Sequence, residues 1–207
     1  MTVTNTAQMQ IIVAAPSPAD GIVGYSSNAL QIGLMIGIAI TVSACAIDAN
    51  YPLSIFYRTR HPRMVTLLAP RLAVSLVATL VAFTLGLLAA WYETAVLIGA
   101  VDLDGLGRVW IAGFFTVTAY LAIAFLLTCF LRSVGTATTV AILLVLLSSI
   151  LTTWPSVVPW TPVAFSDHLG VYEGAITLWK PAIASTAIAL IAIVVGMVRS
   201  QRRQFTR

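Results

Sequence analysis

The chain has 207 residues, 59% hydrophobic and 9% charged, with a formal net charge of +4 and a mean hydropathy of +0.98. Soluble domains carry roughly 45–50% apolar and about 25% charged residues, and eleven basic plus seven acidic side chains cannot cover a water-facing surface for a chain of this length. A soluble fold is excluded, and so is nucleic-acid binding, because the basic residues stand in short clusters beside apolar runs rather than along an aromatic-studded face.

In chain order, residues 1–28 hold a single charge, Asp20. The run 10–15 is apolar but too short to span a bilayer, and no basic region precedes it, so it does not read as a secretory signal. The Ser/Pro/Gly-rich stretch 15–28 reads as loop, and residues 1–28 are expected to form an external arm. Five apolar stretches then match the roughly 20 residues that a helix needs to cross a hydrocarbon core about 30 Å thick. They cover 29–47, 67–90, 109–131, 134–153 and 181–198, within a single transmembrane domain 29–198, and Arg71 is the one formal charge inside them. The fold class expected is all-α, a polytopic membrane protein with about five crossings.

Orientation follows from where Lys and Arg gather, since short cytoplasmic loops retain them. Arg58, Arg60, Arg63 and Arg71 mark the segment 50–66 and its edge as cytoplasmic; Arg132 marks a very short turn; Arg199, Arg202, Arg203 and Arg207 mark a basic tail, 199–207. The remaining loops hold Glu93, Asp102, Asp104, Asp167 and Glu173 against Arg108 and Lys180. They should lie outside, which puts the N-terminus outside and the C-terminus in the cytoplasm. Trp91, Trp110, Trp154, Trp160 and Trp179 all fall near the expected outer boundary, where the indole ring is half buried and its N–H meets water. The external segment 154–180 is too polar to cross, yet its first half is greasy and is interrupted by Pro155, Pro159 and Pro162. Short interfacial or re-entrant helices satisfy both facts.

No phosphate-binding Gly-rich loop, HExxH, CxxC or intramembrane pair of carboxylates is present, which argues against an enzyme and against proton-driven transport. Cys45 and Cys129 lie near expected cytoplasmic helix ends, so neither a disulfide nor a metal site is expected. Gly33 and Gly37 form a GxxxG on the first span, a spacing that lets helix backbones approach closely. The most informative segment follows that span. Phe56, Tyr57 and Met64 stand beside Arg58, Arg60, His61 and Arg63, a mixture that suits a surface-lying amphipathic element or a knob inserted into a partner protein.

Asp48, Arg58, Thr59, Leu67, Leu68, Pro70 and Arg71 resemble the first cytoplasmic loop of the membrane subunits of type-2 ABC exporters. Residues 127–153, with Arg132 in a tight turn, resemble that family's inside turn; Trp160-Thr-Pro-Val-Ala-Phe is similar to its outer-leaflet re-entrant segment, and 199–207 to its basic tail. The resemblance covers 29 to the end and lacks the family's usual first helix, which converts a six-helix plan with both ends inside into five helices with the N-terminus outside. It implies a permease subunit in the cell membrane that contacts lipid, a second permease chain and separate ATP-binding subunits. ATP and Mg would then belong to the partner, with no cofactor on this chain. Phe56, Tyr57, Arg58, Arg60, His61 and Arg63 are the implied ATPase-coupling residues, and Gly33 and Gly37 the helix-packing ones. The alternative from a different class is a non-transporting accessory or scaffold subunit of a larger membrane complex.

Overall fold

A computed structural model describes residues 17–47, 64–131 and 133–205, with side chains to Arg202. Every regular element among them is helical. Four long helices come first: α1 Pro18–Cys45, α2 Val65–Leu97, α3 Leu103–Phe130 and α4 Val134–Thr153, the last five residues of α4 being 3-10. Two 3-10 turns, Val158–Trp160 and Pro162–Ser166, lead to the short α5 His168–Tyr172, and the long α6 Trp179–Phe205 closes the chain. All five long helices are long and apolar enough to cross a membrane, so the chain is an all-α, multi-pass membrane protein.

The first span departs from expectation. The stretch 15–28, expected as loop within an external arm, is helical from Pro18, so α1 begins eleven residues before position 29. Its start is a capping box: Asp20 N–H donates to Ser17 Oγ at 3.3 Å, and Ser17 N–H donates to the Asp20 carboxylate at 2.7 Å. Pro18 occupies the first helical position, where a missing N–H costs nothing. Gly21 does not break the helix because its bare backbone lies against Thr94 of α2. The other spans keep their places with longer ends, α2 starting at Val65, α3 at Leu103 and α6 at Trp179. α6 also runs on to Phe205, so most of the expected tail 199–207 continues the last span as helix.

α3 is the central post. In its most apolar 18-residue window 61% of residues are buried, against 11% for α4, which packs along one edge and leaves Leu143, Leu144, Leu147 and Ile150 exposed. The side chains of α3 face every other span: Val117, Leu121 and Ala124 meet Leu34, Ile38 and Val42 of α1 and Ala137 and Ala141 of α4. Ala122 meets Ala189 and Ala192 of α6, two small-residue faces that bring those helices close. Spans consecutive in the chain run antiparallel, with Gly21 against Thr94 and Ala44 against Arg71 between α1 and α2, whereas α1 and α6 both run parallel to α3, so the bundle has two distinct ends.

One end gathers all five tryptophans together with Glu93, Asp102, Asp104, Asp167 and Glu173; the other carries Arg71, Arg199 and Arg202. At the tryptophan end the segment after α4 folds back onto the bundle. Trp154, Val157 and Trp160 are exposed while Pro162, Val163, Ala164 and Phe165 are buried, so a hairpin of short helices seats its middle among the spans. Tyr172 anchors it to α3, with its ring against Gly105 and its hydroxyl accepting from the Asp102 N–H at 3.2 Å. Gly174, at φ +78°, supplies the left-handed residue that ends α5 and turns the chain toward α6. Trp160 and Trp179 then meet edge to face at 6.1 Å, and the Lys180 ammonium sits 5.8 and 5.5 Å from their ring centroids.

Candidate functional site

The expected coupling residues Phe56, Tyr57, Arg58, Arg60, His61 and Arg63 lie outside the described residues. What is described is the base from which their segment springs. Ile47 and Met64, which flank residues 48–63, are both buried in one cluster with Cys45, Leu68, Leu72, Phe125 and Cys129. Arg71 of α2 donates from its guanidinium to the Ala44 carbonyl at 3.1 Å. A cation at the C-terminus of α1 meets the negative end of the helix dipole and one of its unpaired carbonyls. The two arms of the segment are therefore packed and charge-tied at the arginine end.

Of the GxxxG pair, only Gly37 packs against a neighbouring helix. A Cβ at Gly37 would stand 2.9 Å from Thr79 Cγ2 of α2 and 3.5 Å from Leu121 of α3, whereas one at Gly33 would meet nothing within 4 Å. The close helix approach is real at one glycine and absent at the other. Gly33 instead ends a π-helical turn, Ala29–Gly33, set inside α1. A π-turn inserts an extra residue into the helical ladder and often marks a functional site.

That turn borders a cavity of about 310 Å³ in the tryptophan half of the bundle, open on one side. Ser27, Leu30, Gln31, Leu34 and Met35 of α1, Thr116 and Tyr120 of α3, and Val145, Leu146, Ser148 and Ser149 of α4 form three walls. Pro162, Val163, Phe165, Ser166 and His168 of the hairpin form the lid. Six hydroxyls, one amide and one imidazole face an otherwise apolar space, with no carboxylate, ammonium or guanidinium among them. Tyr120 is positioned by its hydroxyl, which donates to Ser148 Oγ at 2.7 Å and so ties α3 to α4 at the cavity floor.

His168 is half-buried at the rim, and burial pushes its pKa below the usual histidine value, with the Asp167 carboxylate pulling the other way. Asp167 itself caps α5, accepting from the Gly170 N–H at 3.1 Å. The imidazole is thus neutral near pH 7, and the cavity carries no formal charge. Among the described residues no group of three or more His, Cys, Asp or Glu is placed to hold a metal ion.

Gln31, the amide in this cavity, did not figure in the reading of the sequence, although a lone amide inside an apolar span is a signal in its own right. Of two hydroxyls in the lining, Ser148 accepts a bond from Tyr120 of another helix, while Thr116 bonds back to Ala112 of its own helix at 2.8 Å. No family model, curated protein or solved structure matches the chain.

Proposed function

We propose that the chain is the permease subunit of an ATP-driven exporter of the type-2 ABC class, in the cell membrane, with its tryptophan end outside and its arginine end in the cytoplasm. One observation carries this reading: the hairpin of short helices after the fourth span, whose middle, Pro162–Ser166, is folded into the bundle before the last span begins. Short, broken helices at membrane depth leave terminal backbone groups that need protein or a cavity around them, and a transport path supplies both. The packed base around Ile47, Met64 and Arg71 supports the same reading, because a segment that transmits force must be joined stiffly to the helices it moves. In this assignment Phe56 and Tyr57 are apolar knobs, and Arg58, Arg60, His61 and Arg63 the polar contacts to a separate ATPase that holds ATP and Mg. ATP-driven closure of two such ATPases would rock two permease chains against each other and open the path outward.

Purification of the tagged chain from its native membrane tests the assignment. The expected result is copurification of an ATPase whose turnover is stimulated by the complex, and loss of most of that stimulation in Phe56→Ala/Tyr57→Ala with membrane insertion unchanged. Copurification with other membrane subunits and no ATPase would replace the exporter by an accessory scaffold. The poorly covered α4, which offers a long apolar face to a neighbouring helix, also suits that role.

A further inference from the structure

We infer that the cavity between α1, α3, α4 and the hairpin is a binding site for an uncharged amphiphile, an apolar body carrying free hydroxyl or amide N–H groups. Depth in the membrane sets the first constraint. Thr116 and Tyr120 stand six and ten residues inward from Trp110, and Ser148 and Ser149 about as far in from Trp154 as Thr116 is from Trp110. At 1.5 Å per residue the site reaches from the headgroup level to about 10–15 Å inside. Polar groups at that depth are costly unless partnered.

The state of each lining group then fixes the ligand's chemistry. Five of the six hydroxyl protons of the cavity, all but that of Ser27, are already committed: Thr116 donates to Ala112 O at 2.8 Å, Ser149 to Leu146 O at 2.6 Å and Ser166 to Val163 O at 2.7 Å. Tyr120 donates to Ser148, which donates in turn to Val145 O at 2.6 Å. A hydroxyl that has given its proton still offers lone pairs, so the walls are rich in acceptors and call for a ligand that donates. Gln31, an exposed amide within an apolar span, adds two donors and an acceptor suited to a hydroxyl or a carbonyl. The absence of any ionic group among the lining residues disfavours an anionic or cationic head, which would enter the membrane uncompensated. Leu30, Leu34, Met35, Val145, Leu146 and Phe165 provide the apolar lining. The volume, about 310 Å³, is at the small end of ligand sites. It accommodates a head and the first carbons of a chain, the remainder leaving by the open side.

The π-turn is a second, independent observation at the same place. An otherwise regular 28-residue helix is interrupted only at Ala29–Gly33, where it meets the cavity, and Gln31 is the middle residue of that turn. The site lies within one chain and does not rest on the exporter reading.

Monooleoylglycerol is the probe, with lysophosphatidylglycerol of the same acyl chain and dodecane as counterparts bearing a charged head and none. Binding to the purified chain in phosphatidylcholine nanodiscs, whose lipid head has no hydroxyl or N–H donor, should be saturable at one molecule per chain for monooleoylglycerol and at least tenfold weaker for the other two. Gln31→Leu should weaken it at least fivefold and Gln31→Glu as much or more, at unchanged melting temperature, while Ile32→Ala on the neighbouring exposed position leaves it unaltered. Equal affinity for the three probes, or full affinity in Gln31→Leu, would overturn the site. Mass spectrometry of the protein as purified separates two sources of the same chemistry. A neutral glycerolipid carried through at one per chain identifies the leaflet, and a site filled only on addition of probe identifies a solute arriving from elsewhere; a stoichiometric anionic lipid displaced by monooleoylglycerol would overturn the claim.

Discussion

The two ends of this bundle are held together by different physics. At the arginine end the spans meet through dispersion: Cys45, Ile47, Met64, Leu68, Leu72, Phe125 and Cys129 fill one cluster, with Arg71 fastened across it. The tryptophan half adds side-chain hydrogen bonds between elements, from Tyr25 to the Phe83 carbonyl at 2.9 Å, from the Trp110 ring N–H to Thr84 at 3.0 Å and from Tyr120 to Ser148. It also contains the cavity, the π-turn and a lid made of short helices. Lipid tails are as apolar as leucine, so close packing stabilises the arginine end only where contact is gapless, whereas polar bonds can bridge a looser assembly. The proposed reading, a ligand taken up at one level of the membrane and movement applied from the other, would use one gapless end and one end bridged by polar bonds.

The chain carries its own reporters for this contrast. All five tryptophans sit at one end, and both cysteines, buried and free of disulfides, at the other. Tryptophan emission therefore follows the hairpin end, and thiol labelling the arginine end. The sharpest test replaces one phenylalanine in each. Phe125 and Phe165 are 0% and 1% exposed. In lipid the transfer part of a Phe→Ala change largely vanishes and the void remains, which at about 24 cal/mol per Å³ over roughly 100 Å³ costs about 2.5 kcal/mol. Phe125→Ala, in the central post, should lower the stability of the whole bundle by that amount and speed labelling of Cys45 and Cys129. Phe165→Ala should instead release the hairpin locally, shifting tryptophan emission and exposing residues 154–178 to protease while thiol labelling stays slow. Identical responses in both variants would dissolve the distinction between the ends.

Arg71 ranks next. Its hydrogen bond to the Ala44 carbonyl joins α2 to the last turn of α1 beside the proposed coupling segment, and charge-assisted bonds contribute about 1.5–3 kcal/mol before partial exposure reduces them. Arg71→Leu should cost about 1 kcal/mol in thermal or denaturant unfolding and raise the labelling rate of Cys45 without moving tryptophan emission. A change confined to emission would mean that the tie acts at the wrong end.

The positions of the five spans were legible in the sequence because hydropathy and length are set by the bilayer and need no knowledge of neighbours. The beginning of α1 was legible too, but in a different alphabet. Ser17-Pro18-Ala19-Asp20 is a capping box with proline at the first helical position, and the loop-like composition of 15–28 masked it. Gly21 is tolerated there because Thr94 covers it, a tertiary fact that no local propensity contains. The same holds for the cavity. Gln31 comes from α1, Tyr120 from α3, Ser149 from α4 and His168 from the hairpin, and only the fold brings them together. The GxxxG spacing divides along this line, since Gly37 has a helix to meet and Gly33 does not. The coupling residues 56–63 remain a reading of the sequence and of its resemblance, outside the described residues.

The smallest expected effect concerns pH, and it separates the two ends without a mutation at either. Burial lowers the pKa of His168 below 6.5, outweighing the opposing pull of Asp167. The folded state therefore binds fewer protons than the unfolded one as pH falls through that value. Stability contributed by the neutral imidazole is complete above pH 6.5 and declines as the pH drops through 6.5 toward the lower folded pKa. Because His168 belongs to the lid, the loss should be seen as a shift in tryptophan emission between pH 7 and pH 5, with Cys45 and Cys129 labelling, corrected for thiolate fraction, unchanged. His168→Gln, which keeps a polar group at the rim but does not titrate, should flatten that profile. A pH response of the same size in His168→Gln would assign the titration to another group and leave the lid insensitive to protons.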